Sequence, residues 1–363
     1  MSRHRGRVFY FEEPVYSDDN DRLIISRPLD SRLFIVTPRL SSTPSSLTQE
    51  KRLEDLLNRL IAEENIADFV AWYYTPIALK FTRHLQPILT VYDCMDELSN
   101  FKFAPPELKG LELELFQKAD IVFTGGNHLY SVKKKFHSNI FPFPSSIDHA
   151  HFMRARKALF QPSDQAGIAK PRLGYYGVID ERLDLALIDK VAKSRPNWQL
   201  VLVGPVVKID PRSLPQYRNI HYLGQKPYED LPYYLSGWDI AMMPFALNES
   251  TKFISPTKTP EYLCGGKYVI STPIVDVVND YAKEGLVSIV NNEVEFIRTC
   301  EKLLSSPPGD EWIYSVDEKL STLSWDKTWN SMTALMTLAH NRKSDTSEFD
   351  QLTKSSDQHS LYV

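Results

Sequence analysis

The stretch Ser255-Pro-Thr-Lys-Thr-Pro-Glu-Tyr-Leu-Cys-Gly-Gly-Lys-Tyr-Val-Ile-Ser-Thr272 sets a lysine and a glutamate three residues apart at the start of a short helix. Thr259 reads as its N-cap and Pro260 as its first helical residue. Gly265 and Gly266 stop it before a strand, Tyr268 to Ser271. Lys258 and Glu261 then lie at the positive end of the helix. Backbone N–H groups and the dipole favour an anion there, Lys258 adds a point charge, and the Glu261 carboxylate has two oxygens suited to a ribose diol. Thr257 sits beside them. A plain capped helix with a solvated Lys258–Glu261 ion pair is the competing reading.

Upstream of this segment a regular beat of short apolar runs and amphipathic stretches predicts an α/β protein with parallel sheets. The helix Gln49 to Glu64 carries Leu53, Leu56, Leu57, Leu60 and Ile61 at helical spacing. The strands Phe69 to Tyr73, Ile88 to Tyr92, Ile121 to Thr124 and Ile140 to Phe143 alternate with the helices Thr75 to His84, Pro106 to Lys118 and His128 to Phe136. Before them come a strand, Arg7 to Phe11, and a hairpin of Leu23 to Ser26 with Leu33 to Thr37 around Asp30 and Ser31. The beat lapses from Arg154 to Lys170, predicting a linker. It restarts with strands Leu173 to Tyr176, Gln199 to Val203, Ile220 to Leu223, Ile240 to Met243, Tyr268 to Ser271 and Val287 to Val290. Three of these end in Gly177, Gly204 and Gly224, where ligands of open α/β sheets approach the backbone. The expected division is a first domain over 1–153, the linker 154–170, a second domain over 171–323, a closing helix over 324–342 and a disordered Ser-, Asp- and Thr-rich tail over 343–363. Asn292 reads as the N-cap of the helix Glu293 to Leu304.

At 363 residues the chain is long enough for two ordinary cores. A formal charge of -4 gives no electrostatic reason to expect nucleic acid. The three cysteines, Cys94, Cys264 and Cys300, are too few and too scattered for a disulfide framework or a zinc site, which fits a reducing compartment. The expected location is therefore the cytoplasm. The apolar run after Arg3, Arg5 and Arg7 is too short for a signal peptide, and no segment approaches the roughly 20 apolar residues of a membrane span. An aromatic content of 12% leaves room for peripheral contact with a membrane surface.

Six landmarks in order resemble the GT-B glycosyltransferases, in particular glycosyltransferase family 4 or group 1, across roughly 88–340. They are Pro144 to Phe152 (PSSIDHAHF), Leu173 to Asp184 (LGYYGVIDERLD), Val201 to Pro205 (VLVGP), Ile220 to Leu235, Asp239 to Phe245 (DIAMMPF) and the opening stretch. The resemblance implies two Rossmann-like domains with parallel sheets facing a cleft, the donor nucleotide lying against the C-terminal one. By position, Gly177 would admit the diphosphate to the backbone and Arg182 would neutralise it. The stretch Gln225 to Tyr228 resembles the loop that reads the base, so Gln225 and Lys226 would contact it, with Tyr228 as a packing or stacking residue. Lys258 would contact phosphate and Glu261 the ribose.

Two positions depart from the family pattern. Many members carry a glutamate eight residues before the ribose-binding one, and here that position is Phe253; Glu249 nearby is the candidate to take over its sugar contacts. The chain also opens on what looks like the second strand of the fold, so the N-terminal domain would lack its first βα unit. In that domain Tyr92-Asp-Cys-Met-Asp-Glu-Leu-Ser99 resembles a subgroup of bacterial cell-surface polysaccharide transferases of the teichuronic acid type. Asp93 is the candidate contact for the reacting sugar or acceptor hydroxyl; an Asx turn or cap by Asp93 or Asp96 explains the same residues. Asn127 reads as a second cleft residue or an N-cap.

The resemblance implies a retaining, metal-independent hexosyltransferase using a nucleotide-diphosphate sugar as donor, with no separate cofactor, and a glycan or lipid-linked acceptor. The leaving diphosphate would take the acceptor proton. No clustered Asp-X-Asp pattern suggests a metal. The rival readings are a sugar-nucleotide 2-epimerase on the same fold and a non-catalytic nucleotide-sugar or glycan-binding protein. An NAD-dependent oxidoreductase is disfavoured because no Gly-X-Gly-X-X-Gly follows a strand.

Overall fold

The computed structural model describes residues 6–28, 32–157 and 160–359, with side chains of the last helix given as far as 345. In chain order the strands and helices are β1 Val8–Phe11, β2 Val15–Ser17, β3 Arg22–Ser26, β4 Leu33–Ser41, α1 Gln49–Glu63, β5 Val70–Tyr73, α2 Leu79–Thr82, β6 Leu89–Cys94, α3 Leu108–Lys118, β7 Ile121–Thr124, α4 Asn127–Lys133, β8 Ile140–Pro142, α5 His149–Phe152 and α6 Ser163–Ala166. They continue with β9 Arg172–Tyr176, α7 Leu185–Ser194, β10 Gln199–Val203, β11 Ile220–Tyr222, α8 Leu231–Ser236, β12 Ile240–Met243, α9 Lys258–Cys264, β13 Tyr268–Ser271, α10 Val275–Asp280, β14 Val287–Ile289, α11 Glu293–Leu304, α12 Asp310–Ser321 and α13 Trp325–His359. The chain forms two compact units: 1–92 with 109–121 and 332–363, and 93–108 with 122–331.

In the first unit β4 is central. β1 and β2 lie parallel to it in succession, and β3 pairs with it antiparallel as the expected hairpin, with Ile25 opposite Val36. The predicted turn at Asp30 and Ser31 lies outside the described residues. Alternation puts Val36 and Leu40 inward, where Leu53 and Leu56 of α1 close over Leu40 with Phe11, Leu23 and Phe81 around them. Thr48 caps α1, its hydroxyl accepting from the Lys51 N–H at 3.2 Å. β5 and β6 run parallel, Val70 beside Leu89.

The second unit is built on a fully parallel six-stranded sheet ordered β11-β10-β9-β12-β13-β14. Its strands are continuous apolar runs because helices cover both faces. Gly174 in β9 exists to admit Trp238, whose ring atoms would lie 1.8 Å from an added Cβ. The order of strands reverses between β9 and β12, so the carboxyl ends of these two strands flank the place where such sheets bind ligands.

Three domain-level expectations need correction. The 154–170 segment is not a loose linker: Gln165 is fully buried, donating to the Tyr234 carbonyl at 3.0 Å and accepting from Trp238 Nε1 at 2.9 Å, and Arg156 pairs with Asp317. The units divide instead around 93–108, because that stretch and the segment after β7 bond to the six-stranded unit. Asn100 Nδ2 donates to the Glu249 carbonyl at 3.2 Å, and the His128 N–H to Asp276 Oδ1 at 2.9 Å. Finally, α13 runs on to His359 through the stretch expected to be disordered from Lys343. No Gly or Pro occurs after Gly309, and Lys343 is tied to Asp120 at 2.8 Å.

Candidate nucleotide-sugar site

The site lies where the strand order reverses. Leaving β9, Gly177 adopts φ +135° and its N–H donates to the Val203 carbonyl at 2.8 Å. A Cβ on Gly177 would stand 2.3 Å from Lys258 Cε and 2.8 Å from its Nζ. The lysine side chain therefore lies directly on the glycine, with its ammonium 5.6 Å from the centroid of the Tyr175 ring. Among the described residues this ammonium makes no ion pair or hydrogen bond, so the solvated Lys258–Glu261 pair weighed above does not form. Burial holds Lys258 below the ordinary lysine range, while Glu261 partly offsets that effect and Arg182 adds to it.

One turn along, Glu261 accepts from the Tyr176 hydroxyl at 2.8 Å. Burial pushes its carboxyl above the ordinary range, against the pull of Tyr176 and Lys258. Tyr262 locks α9 to the sheet, its hydroxyl accepting from the Tyr176 N–H at 2.9 Å. The geometry thus offers a cation and a carboxylate, both held away from bulk water and both with bonding capacity left.

The helix start differs from the reading above. Thr257, not Thr259, precedes the first helical residue, and it supplies no side-chain cap. Thr259 is buried within α9, its hydroxyl against Met243 Sδ at 3.5 Å. The helix is only seven residues long, Pro260 has no N–H, and the Thr259 N–H is spent on the Pro256 carbonyl at 3.2 Å. Positive charge here comes from the Lys258 ammonium rather than from free helix amides.

Arg182 is half-buried and committed to Asp180, with Nη2–Oδ2 at 2.7 Å and Nε 3.0 and 3.1 Å from the two oxygens. Its guanidinium also lies 5.7 Å from the Phe101 ring centroid. Asp96 feels Arg182 as well: burial and neighbouring Glu97 push its carboxyl up to about 6, with Arg182 pulling down. Asp93 is buried at the end of β6, and the turn after it is made by backbone, the Met95 N–H donating to the Asp93 carbonyl at 3.0 Å.

Of the remaining candidates, Thr257 adjoins the pair, its carbonyl accepting from the Glu261 N–H at 3.4 Å, and burial together with the Glu261 charge raises the Tyr228 hydroxyl. Lys226 is bonded to Asp164 at 2.6 Å and lies over Tyr234, lining a hollow with Phe160 and Tyr233. Gln225 and Thr257 are exposed. Glu249 is exposed, its carboxylate 3.9 Å from Lys252 Nζ and its carbonyl accepting from Asn100 Nδ2. Tyr228 stacks on His151 at 4.3 Å, the packing role. Phe253 is buried beneath His128 in a 5.0 Å stack. Asn127 is not a cap; Gly126 holds that position, and Asn127 Nδ2 donates to Asp280 at 3.3 Å. Asn292 does cap α11, accepting from the Glu295 N–H at 3.0 Å. Sequence reasoning missed Tyr176 and Asp180, the partners of Glu261 and Arg182. Tyr176's place immediately before Gly177, at the mouth of β9, is the signal that points to it.

Solved structures share this architecture. Sucrose-phosphate synthase from Thermosynechococcus elongatus superimposes with TM-score 0.63 at 15% identity, covering 92% of this chain and 88% of its own. An Anabaena protein solved with UDP and glucose does so at 0.59 and 16%, covering 82% and 85%. The fold is thus GT-B, the two-domain α/β architecture of glycosyltransferases. Residues 170–306, the stretch holding Gly177, Arg182, Lys258 and Glu261, match the family model of the group 1 glycosyl transferases. A Bacillus subtilis (strain 168) protein named as a teichuronic acid biosynthesis glycosyltransferase, TuaH, is 25% identical over 260 residues, 67% of this chain. The match spans 64% of that relative, under two thirds of its length.

Proposed function

We propose that the chain is a retaining glycosyltransferase that moves a sugar from a nucleotide-diphosphate donor to a glycan or lipid-linked acceptor in cell-surface polysaccharide synthesis. The observation that carries the reading is the Lys258 ammonium, unpaired among the described residues, lying on Gly177 one helical turn from the Glu261 carboxylate. Gly177 leaves room for the Lys258 side chain to lie on the backbone, Lys258 meets the diphosphate charge, and Glu261 accepts from the ribose hydroxyls. As the bond from the anomeric carbon to the diphosphate breaks, Lys258 stabilises the charge gathering on the leaving group, an effect worth about 3 kcal/mol for one well-placed donor. Arg182, anchored by Asp180, supports it at longer range. The TuaH relative's name supports the polysaccharide context, and the neighbour solved with UDP and glucose supports the donor class.

The charge work falls to lysine and arginine, so transfer should survive chelation by EDTA. Among the described residues no group of three or more His, Cys, Asp or Glu is placed to hold a metal ion, and no helix is long and apolar enough to cross a membrane. Work at the cytoplasmic face on a lipid-linked acceptor fits the reading.

The test is a thermal-shift panel of UDP-, GDP- and dTDP-sugars, followed by product analysis with the best binder. Ligand at 100 times its Kd stabilises by about 2.7 kcal/mol. A shifted melting point with sugar transferred to acceptor supports the proposal. Epimer interconversion, or binding with neither transfer nor donor hydrolysis, refutes it.

A further inference from the structure

Between β6 and α3 the chain forms no strand or α-helix, and the middle of this stretch lies against the loops that hold the candidate donor groups. Its roots are fixed. The Gly125 N–H donates to the Cys94 carbonyl at 2.9 Å, and Glu97 pairs with Lys133 at 2.7 Å, a lysine whose side chain is only 4% exposed. At the far end Leu108 is buried. The strap between them, 98–104, makes local backbone bonds: the Asn100 N–H donates to the Glu97 carbonyl at 2.9 Å, Phe101 to Leu98 at 3.3 Å and Ala104 to Phe101 at 3.0 Å. Lifting the strap breaks none of these.

Two side chains hold it down, and they reach three loops. Asn100 Nδ2 donates to the Glu249 carbonyl, in the loop after β12, at 3.2 Å. The Phe101 ring lies under Arg182 of the loop after β9, with the guanidinium 5.7 Å from its centroid, and under Lys208 of the loop after β10, with the ammonium at 5.6 Å. β10, β9 and β12 are neighbours in the sheet, so the strap touches the loops at the carboxyl ends of three adjacent strands, around the point where the strand order reverses. Those loops are themselves joined. A Cβ on Gly204 would stand 1.9 Å from the carbonyl oxygen of Gly177, the residue on which Lys258 lies, and the Ala246 N–H donates to the Arg182 carbonyl at 2.8 Å.

The contact is built to let go. Arg182 has its edge taken by Asp180 and a ring against it from Phe101, so the strap restricts a cation assigned to the donor. Lys208 makes no ion pair or hydrogen bond among the described residues, and the same ring is what it meets. Backbone strain flanks the contact on both sides: Lys208 holds φ +62°, and Phe103 holds φ +69° with its side chain 78% exposed. Strain of this kind raises the energy of the closed strap and brings an open one nearer.

We propose that 98–104 is a strap that closes the donor crevice while no ligand is bound and is lifted by the nucleoside diphosphate, with Phe101 as its latch. The inference rests on the donor site assigned above. A diphosphate offers Arg182 and Lys208 charge-assisted bonds that outweigh the face of a ring, and when the two cations turn to it the latch is lost. Phe101 is a gating residue with no part in the chemistry. Its effect is to lower the apparent affinity by the fraction of molecules whose strap is shut.

The experiment titrates the full chain with UDP, GDP and dTDP and carries the tightest into stopped-flow binding. Phe101→Ala and Phe101→Leu are compared with the parent, the leucine keeping apolar bulk without a ring. In both, association should be faster by about fivefold or more while dissociation stays within twofold, because two cation–ring contacts no longer hold the strap shut. A parent-like association rate overturns the proposal. So does faster dissociation with weaker binding, which would make Phe101 part of the bound site. Should neither variant fold, tryptic cleavage of the parent after Lys102 decides: the saturating nucleotide should accelerate it, and slower or unchanged cleavage overturns the strap. Unchanged association in variants of a parent that transfers sugar leaves the glycosyltransferase reading standing. A parent that binds none of the three nucleotides overturns that reading together with this one.

Discussion

Replacing Gly177 with alanine probes the contact on which the site depends. Two costs enter. At φ +135° an L side chain is strained, a penalty of about 1–3 kcal/mol. The new Cβ also falls 2.3 Å from Lys258 Cε, well inside van der Waals contact, so the lysine must move. Overpacking of this kind costs about 1–3 kcal/mol, towards the low end here because a lysine side chain can swing away. Together Gly177→Ala should lower unfolding stability by about 2–4 kcal/mol in urea titrations and weaken nucleoside-diphosphate binding, since the ammonium no longer lies on the backbone. A double-mutant cycle with Lys258→Ala separates the costs. With the lysine truncated the clash disappears while the backbone strain stays, so the double variant should be more stable than the sum of the singles by about 1 kcal/mol. Additivity within about 0.5 kcal/mol would show that Lys258 does not rest on Gly177, and the reasoning would fail.

Lys258→Ala alone should reduce kcat for transfer by roughly 100- to 1,000-fold, and a parent-like rate in a steady-state assay would remove Lys258 from the mechanism. Tyr176→Phe deletes the hydroxyl that donates to Glu261 and holds its proton affinity down, so the Glu261 carboxyl should rise further. Donor affinity measured against pH should then fall off at a higher pH than in the parent, and an unmoved profile would break the Tyr176–Glu261 link. Asp276 gives a stability test away from the chemistry. Burial raises its carboxyl to about 6, the His128 N–H pulling it down, and its Oδ2 is buried without a partner among the described residues. A folded-state value above the unfolded one means that the stability due to this group is complete below about pH 4 and is lost as pH rises through 6. Asp276→Asn should accordingly gain about 2 kcal/mol over the parent at pH 8 and little at pH 4, read as denaturation midpoints; equal gains at both would contradict the assignment.

The strands of the six-stranded unit were legible because their signal is local. Gln199 to Val203, Ile240 to Met243 and Tyr268 to Ser271 are unbroken apolar runs bounded by polar or glycine residues, and each forms over those residues. α11 was equally plain, its Asn292 cap and apolar stripe both lying within one segment. The short helix at 258–264 was not, because Thr259-Pro260 presents a good capping signature that packing overrides: burying Thr259 against Met243 and Tyr262 against β9 starts the helix a turn-fraction earlier. The linker failed for a related reason. Gln161, Gln165 and Arg172 look like solvent-loving residues, yet their amide and guanidinium groups are absorbed by backbone carbonyls and Trp238 of the same unit, a pairing between distant residues that composition does not reveal.

The same distinction governs the site. Three residues of spacing put Lys258 and Glu261 on one helix, and a glycine ending a strand is conspicuous on its own, so the proposed pair and Gly177 stand out in the sequence. Whether a charge is free to act depends on what the fold has already given it. Arg182 and Lys226 carry the same formal charge as Lys258, yet Asp180 and Asp164 occupy them, and only Lys258 keeps its ammonium open. Among the acids, Glu97 is consumed by Lys133 while its neighbour Asp96 is not. A segment such as Asp93-Cys-Met-Asp-Glu97 offers three carboxylates of equal standing in sequence. The fold sorts them into one buried at a strand end, one that makes no hydrogen bond or ion pair among the described residues and one neutralised by Lys133, a difference that their spacing in the sequence does not carry.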